Sequence, residues 1–418
     1  MGQSVTNLAG AAMRVYDKVV HEQIFTKNVL WNNVLKNIAT DVGSASTVGS
    51  STTGGGGKML TVHYKRNVGS AAGSETVVLP TAGSQGYLQA SVPMKYNFQT
   101  VSLTDVVLQS SKRNKEFLVN ALDSEYKGAR EDMKRQLSRQ GYGTGTGVIA
   151  QLSADVTSDA TVELDNPMVG KNPTDYLEIG NAIMTSAAVD SESTAVFGKV
   201  STITDGDTFE LVTAMTTTST MDDNDYLFIA HNATSPSVSN QGYEVMGLKG
   251  LIDDNANVTT LQGLSRDTYI WWKSYVNDAN SQRSLSDALM HDTYLEAKKK
   301  GDPKFALTSF DAFSAYGQLL TPDRRYTDKM SLKGGFTGVM FNDLLIVADY
   351  DCPYDEMYFI DPSSISAEDL APISFLNEDG SILDRSSTTP AWNATLRYYA
   401  NLAINAPNKN SALRDVIK

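Results

Sequence analysis

Two glycine-rich stretches are the first candidates for a phosphate-binding site. Residues 54–58 are GGGGK and residues 141–147 are GYGTGTG. A phosphate-binding loop needs Ser or Thr after its Lys and a helix that starts there, but Met59 follows and opens an alternating, strand-like run. A dinucleotide-binding turn follows a strand and opens a helix, but the second stretch follows a helical pattern. The order of the elements disfavours both sites, and we interpret residues 141–147 as a close-packed exit from a helix.

Short acidic runs offer two further kinds of site. Residues 222–225 are Asp-Asp-Asn-Asp, but a calcium loop alternates its ligands and ends in a bidentate Glu, so we predict a solvated turn. The pairs Asp253–Asp254 and Glu368–Asp369 contain the groups that an acidic hydrolase would use as acid and base. Adjacent carboxylates on a turn usually point apart into solvent. We therefore predict that the protein is not an enzyme, with a hydrolase kept as an alternative.

The metal-ligating residues are few and widely spaced. His21, His63, His231 and His291 do not form a zinc-binding repeat. Cys352 is the only cysteine, which excludes a disulfide within the chain and a cysteine-rich metal site, and we interpret it as a buried thiol. We predict no catalytic, cofactor-binding or metal-binding residues, and no cofactor.

Composition narrows the classes of partner. The chain has 418 residues, which is enough for two or three domains. Of these residues 41% are hydrophobic, so the chain can bury a substantial core. A formal net charge of -13 argues against coating nucleic acid, because that requires clustered Lys and Arg. No apolar run approaches the roughly 20 residues of a membrane span. We therefore expect no membrane partner, and only local, sequence-independent contact with any DNA nearby.

The first hundred residues are predicted to form an arm and an extended β-loop. Val15 to Ile38 has helical spacing, and Asp41 to Gly57 is almost all Ser, Thr and Gly, which predicts a helix on an extended or mobile tether. From Met59 to Val107 the pattern is strand, turn, strand, with Glu75 to Leu79 continuing the first strand and Tyr96 to Gln109 forming a longer one. Since a two-stranded excursion is marginal alone, we expect its partners on a neighbouring subunit.

The strongest helical pattern follows at once. Asn114 to Gln140 has apolar residues three and four apart and charges on the other face, with Asn114 as the predicted N-cap and Gly141 at the end. Such a helix runs about 40 Å. It suggests a spine that braces a flat subunit.

The remainder divides into a β-rich part and a mixed α/β part, so we predict an α+β fold. Leu152 to Val238 indicates short strands, with Asp205-Gly206 at a hairpin turn, and therefore a small inserted barrel or sandwich. Further predicted elements are a helix over Ser284–Lys300, a strand over 304–310, a helix over 311–320 capped by Asp311, a buried strand over Phe341–Ala348, a short strand in residues 357–365 and an extended run over Trp392–Ile404.

The order and local wording of these elements resemble the major capsid proteins of tailed bacteriophages, which have the Hong Kong 97 fold. FQTVSLTDVVLQSS, the helix FLVNALDSEYKGAREDMKRQLSRQ and GYGTGTG look like that family's strand, spine helix and glycine-rich exit. KFALTSFDAFSAYGQLL with GFTGVMFNDLLIVADYDCP, and the closing WNATLRYYANLAINAPNKNSALRDV, look like its axial helix, axial strand and terminal strand.

The resemblance implies a domain plan. It consists of an N-terminal arm (1–57), an extended β-loop (58–107), a peripheral domain with the spine helix (108–147), an inserted β-rich domain (152–240), an axial domain (241–375), and a return to the peripheral domain with the C-terminus (376–418). It also implies a homo-oligomer of hexamers and pentamers that builds an icosahedral head around double-stranded DNA. The implied partners are portal, scaffolding and cement proteins, and the implied location is the virion shell, assembled in the host cytoplasm.

The chain also departs from the family pattern. The inserted segment is extra to the minimal fold, and no long charged N-terminal helix serves as a built-in scaffold, which favours a separate scaffolding protein. Some members form Lys–Asn cross-links; Lys58 and Lys65 lie in the β-loop, but no partner Asn can be chosen, so that chemistry is not carried over. The alternative function is another virion or surface structural protein, such as a tail-tube subunit or an adhesin.

Overall fold

A computed structural model describes residues 30, 57–75, 78–105, 115–190, 195–216, 220–231, 239–279, 281–319, 329–331, 337–376, 384–385 and 389–417. The predicted helix over Val15–Ile38 lies outside these residues apart from Leu30, and the predicted tether lies outside them apart from Gly57.

The helices and strands have the following bounds. The helices are α1 (Lys115–Gln140), α2 (Leu248–Leu251), α3 (Asp287–Lys298) and α4 (Phe310–Leu319). The strands are β1 (Gly57–Lys65), β2 (Gly86–Pro93), β3 (Lys95–Thr104), β4 (Val148–Leu152), β5 (Thr161–Asp165), β6 (Ala182–Ser186), β7 (Val196–Ile203), β8 (Thr208–Leu211), β9 (Tyr226–Ala230), β10 (Thr260–Leu261), β11 (Leu264–Ser265), β12 (Tyr275–Asn277), β13 (Arg283–Ser284), β14 (Phe305–Thr308), β15 (Lys329–Ser331), β16 (Thr337–Phe341), β17 (Leu344–Ala348), β18 (Met357–Ile360), β19 (Ile365–Phe375), β20 (Asp384–Arg385), β21 (Ala391–Ile404), β22 (Ser411–Leu413) and β23 (Val416–Ile417).

The extended β-loop is an antiparallel hairpin of β1 and β2, in register from Gly57 opposite Pro93 to Lys65 opposite Gly86. This agrees with the predicted first strand. The predicted continuation through Glu75 to Leu79 is wrong, because its described residues lie outside any strand. Leu79 is 84% exposed, so the described part of this stretch has neither the pairing nor the burial that holds a strand.

The longest strands form a sheet that α1 covers. β21 pairs antiparallel with β3 on one side and with β19 and β20 on the other, and we call this the long sheet. The helix buries Ala129, Met133 and Leu137 in the main core. It ends where the Gly141 N–H donates to the Leu137 carbonyl at 3.0 Å, so the predicted spine helix and its end are confirmed.

Residues 148–230 contain a closed barrel with the strand order β4-β5-β8-β7-β6-β9. Phe209, Leu227 and Ile183 are fully buried. The hairpin between β7 and β8 turns at Asp205-Gly206, as predicted. The barrel begins at Val148, before the predicted boundary at residue 152, because β4 pairs with both β5 and β9 and is needed to close it.

A seven-stranded mixed sheet holds the C-terminal half, in the order β12-β22-β18-β14-β17-β16-β15. Two strands, β19 and β22, do not lie in the sheet that the predicted division of the chain implied. β19 lies in the long sheet, although residues 241–375 were expected to be axial, because it pairs along β21. β22 enters the seven-stranded sheet between β12 and β18, although residues 376–418 were expected to return to the peripheral domain.

Two local predictions in this half are wrong. Ser309, and not Asp311, caps α4, since its Oγ accepts the N–H of Ala312 at 3.2 Å. The strand predicted over Phe341–Ala348 is two strands, β16 and β17, because Asn342 adopts a φ of 51° and turns the chain. The mixed helix and strand content nevertheless confirms the predicted α+β class.

Candidate assembly surfaces

The inner face of the β1–β2 hairpin is held by its own chain. Leu60 and Val62 pack against the main core, and Ala90 is fully buried. The Lys58 Nζ donates to Glu368 Oε1 at 2.6 Å and ties β1 to the long sheet. We expected the hairpin to find its partners on a neighbouring subunit, but this face finds them within the chain.

The far end of the hairpin is exposed. Tyr64 stacks on Trp271 with 6.2 Å between ring centroids, and the loop beyond it spans residues 66–85. In this tip loop Val68, Val78 and Leu79 are 75, 88 and 84% exposed. Burying side chains of this size gains about 1.5–3 kcal/mol each. The tip loop is therefore a candidate assembly surface.

A groove beside β3 is a second candidate. Among the described strands, none pairs with β3 on the side away from β21. The groove of about 520 Å³ is bounded by β3, by α1 and by residues of the barrel and its exit. Phe98 and Tyr243, which both line the groove, are 56 and 65% exposed. An open strand edge with exposed aromatic side chains can accept an extended segment of another chain, and we call this the edge groove.

Two arginines on consecutive turns of α1 form ion pairs with neighbouring elements. One ion pair is buried, and the other is partly exposed to solvent. Arg139 pairs with Glu244, and both side chains are almost fully buried. Arg135 pairs with Glu178 at 2.8 Å, and the Glu178 side chain is 61% exposed. The buried pair fixes the position of the helix exit relative to the chain that leaves the barrel.

The first proposed hydrolase pair does not form an acid–base site. Asp253 is fully buried and was wrongly expected to point into solvent. It accepts hydrogen bonds from the N–H groups of Asn257 and Val258 and pairs with Arg414 at 3.2 Å. Burial raises the pKa of Asp253, but the hydrogen bond from Asn257 and the charge of Arg414 outweigh burial, and the pKa is lowered. Asp253 is thus a structural group, ionised at neutral pH, that joins the C-terminal residues to the α2 region.

The second proposed pair is separated by its strand. Glu368 and Asp369 lie on β19, whose successive side chains alternate between faces. Glu368 is buried against Lys58, whereas Asp369 is exposed. The two carboxyl groups do not share a site.

The glycine-rich stretches have structural roles where they are described. Gly57 and Lys58 belong to β1, so no helix follows the first stretch. In the second, Gly147 has a φ of 86°, and a Cβ there would lie 2.5 Å from the carbonyl oxygen of Asn240. Only glycine fits such a backbone without strain. Residues 141–147 are the close-packed helix exit that the sequence predicted.

Residues 222–225 form the predicted turn, and Asp222, Asp223 and Asn224 are exposed, whereas Asp225 is buried. Asp225 is 7% exposed, and its Oδ2 accepts the N–H of Asp222 at 3.4 Å. Across the described residues there is no group of three or more His, Cys, Asp or Glu side chains arranged to hold a metal ion. Cys352 is buried, as predicted, and burial raises the pKa of its thiol.

Sequence reasoning missed a pair of buried acids after β17. Asp349 accepts a hydrogen bond from the Tyr142 hydroxyl at 2.8 Å, and Asp351 accepts one from Tyr176 at 3.0 Å. Both carboxyl groups are buried. The only available signal was a pair of acids directly after an apolar strand.

Comparison with known proteins identifies the fold. No family model and no curated protein matches the sequence. Among solved structures, a chain in the capsid asymmetric unit of Cyanophage A-1(L) matches with a TM-score of 0.56 and 12% identity, covering 96% of each chain. The capsid of an empty GTA particle matches with a TM-score of 0.46 and 10% identity, over 99% of this chain and 98% of that one.

In the part of the chain that the structure describes, no helix is long and apolar enough to cross a membrane. The match to the cyanophage capsid chain extends over nearly the whole of both sequences. The chain therefore has a phage capsid fold, as the resemblance of its sequence implied.

Proposed function

We propose that this chain is the major capsid protein of a tailed phage, which assembles into hexamers and pentamers of an icosahedral head around double-stranded DNA. The observation that carries the proposal is the likeness of fold to a capsid subunit over 96% of both chains. The division into arm, extended β-loop, peripheral, inserted and axial domains is part of the proposal.

Two different exposed surfaces on one chain support assembly into rings. The tip loop carries apolar side chains that find little burial within the chain, and the edge groove offers an open strand edge. Contact between unlike patches is heterologous and closes into a ring when the rotation allows. Many such contacts, each weak, give a stable closed shell.

The charge of the chain supports a container that binds DNA weakly. A net charge of -13 repels phosphates, so packaged DNA would touch the inner face without sequence specificity. The role is structural and not enzymatic, and the protein resides in the virion shell after assembly in the host cytoplasm. Portal, scaffolding and cement proteins are the proposed partners.

Sedimentation velocity of the purified chain at rising concentration tests the proposal. We expect the subunit to give way to pentamers, hexamers or larger closed species. Leu79→Asp places a charge in the tip loop and should abolish these species while leaving the circular dichroism spectrum unchanged, because Leu79 is exposed. Val212→Asp, at an exposed position on the barrel, is the matched control and should assemble normally. Assembly of Leu79→Asp at the same concentration as the wild type would show that the tip loop is not a contact between subunits.

A further inference from the structure

The outer end of the β1–β2 hairpin is held to the rest of the subunit by an aromatic stack. Side chains alternate along β1, so Lys58, Val62 and Tyr64 share the inner face of the hairpin. The first two make an ion pair and a contact with the main core. Tyr64, the last of the three, stacks on Trp271 with 6.2 Å between ring centroids and 23° between the ring planes. This stack is the contact nearest to the tip loop.

The rings that receive Tyr64 are fixed to the interior. Tyr269 and Trp271 lie 5.4 Å apart between ring centroids, and the Tyr64 ring lies within 6.4 Å of both. We call these two residues the aromatic platform. The next residue, Trp272, is fully buried, and its Nε1 donates to the Leu261 carbonyl at 3.1 Å. Because Trp272 is anchored in the core, the aromatic platform is a fixed support for the hairpin.

The opposite strand leaves room for this stack. Gly86 of β2 faces Lys65 across the hairpin, and a Cβ at Gly86 would lie 2.8 Å from Cε1 of the Tyr64 ring. A contact that short is not tolerated, so a larger residue would force the ring or Lys65 to move. Glycine permits the close approach that the stacked ring requires.

The tip loop itself makes few contacts with the rest of the subunit. All of its described residues except Gly69 and Gly83 are exposed. The direction of the loop therefore depends on how firmly the outer hairpin is held. Besides the Tyr64 stack, the Ser91 N–H of β2 donates to the Gln262 carbonyl at 2.8 Å, but Ser91 lies nearer the base of the hairpin.

We propose that the stack of Tyr64 on the aromatic platform positions the tip loop for contact with a neighbouring subunit, so that Tyr64, Tyr269 and Trp271 are positioning residues of that contact. Without the stack the outer hairpin opens more often, and association must then also order the loop, which weakens binding. The consequence for assembly rests on the proposed function, whereas the hold on the hairpin is a property of the free subunit.

Hydrogen–deuterium exchange of the free subunit tests the hold on the hairpin. Trp271→Ala should speed exchange of the outer amides, at residues 61–65 and 86–89, about two- to tenfold, the range expected for the loss of one aromatic pair. Residues nearer the base should keep the wild-type rate. Trp271→Phe keeps a ring and should restore most of the protection. Ile270→Ala, at a neighbouring position that is 78% exposed, is the matched control. Wild-type exchange in Trp271→Ala would overturn the proposal.

A second variant keeps the test decisive if Trp271→Ala disturbs Trp272. Tyr64→Ala removes the other partner and leaves the aromatic platform intact, so it should speed exchange of the same amides. Because both changes remove one contact, the double variant should exchange more slowly than the product of the two single effects predicts. Effects that multiply in full would show that the two rings act separately and would contradict the stack.

Sedimentation velocity tests the consequence for assembly. Tyr64→Ala should raise the concentration at half-assembly about twofold or more, whereas Tyr64→Phe, which keeps the ring, should assemble like the wild type. The urea midpoint of the free subunit should stay close to that of the wild type in both variants, because Tyr64 is 42% exposed. If the wild type assembles and Tyr64→Ala assembles at the same concentration, the positioning role is wrong and the proposed function stands. If the wild type does not assemble, the proposed function fails and the exchange rates decide whether the stack holds the hairpin.

Discussion

Replacing Arg139 by Met should be among the most damaging single changes in α1. Arg139 is 2% exposed and lies on the last turn of the helix, where it pairs with Glu244. The Met side chain fills much of the same volume but leaves the Glu244 carboxylate in the interior without its cation. Among the described residues, one hydrogen bond then remains to that carboxylate, from the Asn240 side chain at 3.1 Å.

The expected cost follows from burial of the pair. Breaking a buried ion pair by removing one partner typically costs about 3–5 kcal/mol, because a charge stays buried without compensation. Arg135, one turn earlier on the same helix, pairs with a Glu178 side chain that is 61% exposed. Solvent screens that pair, so the ion pair lost in Arg135→Met should be worth no more than about 1 kcal/mol.

Urea unfolding of the free subunit measures the loss of stability in Arg139→Met and in Arg135→Met under one set of conditions. Arg139→Met should lower the free energy of unfolding several times more than Arg135→Met does. Adding Glu244→Met to Arg139→Met should recover most of the loss, because the Glu244 charge is then no longer buried without its partner. Equal costs for the two single variants, or no recovery in the double variant, would refute the assignment of Arg139–Glu244 as a buried, interdependent pair.

Two further predictions concern backbone strain and buried charge. Gly147→Ala should lower the thermal midpoint, since the φ of 86° and the Asn240 carbonyl leave no room for Cβ; Gly128→Ala in α1, whose Cβ would meet nothing within 4 Å, should raise the midpoint by removing a helix-interior glycine. A midpoint of Gly147→Ala at or above that of Gly128→Ala would contradict this. Asp253→Asn should lower stability at neutral pH and flatten the acid limb of a plot of stability against pH. Because the folded protein lowers the pKa of Asp253, the ionised group stabilises the fold at pH values above its ordinary pKa of 3.8. This contribution is lost as the pH falls through the lowered pKa. An acid limb as steep as that of the wild type would argue against Asp253.

Local sequence patterns predicted those helices and strands whose bounds depend mainly on neighbouring residues. α1 was predicted within one residue, because its apolar spacing and the following glycine determine both its course and its end. The break between β16 and β17 was missed, although Asn342-Asp343 between two apolar runs is a turn sequence. The run of apolar residues outweighed that signal.

Pairing between distant residues could not be predicted from local patterns. β22 lies between β12 and β18, and nothing in Ser411–Leu413 indicates which sheet accepts it. The burial of Asp253 likewise depends on Arg414, 161 residues away in the sequence. Neighbouring residues alone suggested an exposed turn, so a buried charge network was invisible before the fold was known.

Negative-stain electron microscopy of the protein expressed alone, at the highest concentration it tolerates, tests the capsid assignment most directly. We predict rings of five or six subunits, tubes or closed shells. A monodisperse monomer over the whole concentration range, with intact secondary structure, would contradict the claim that the chain assembles by itself.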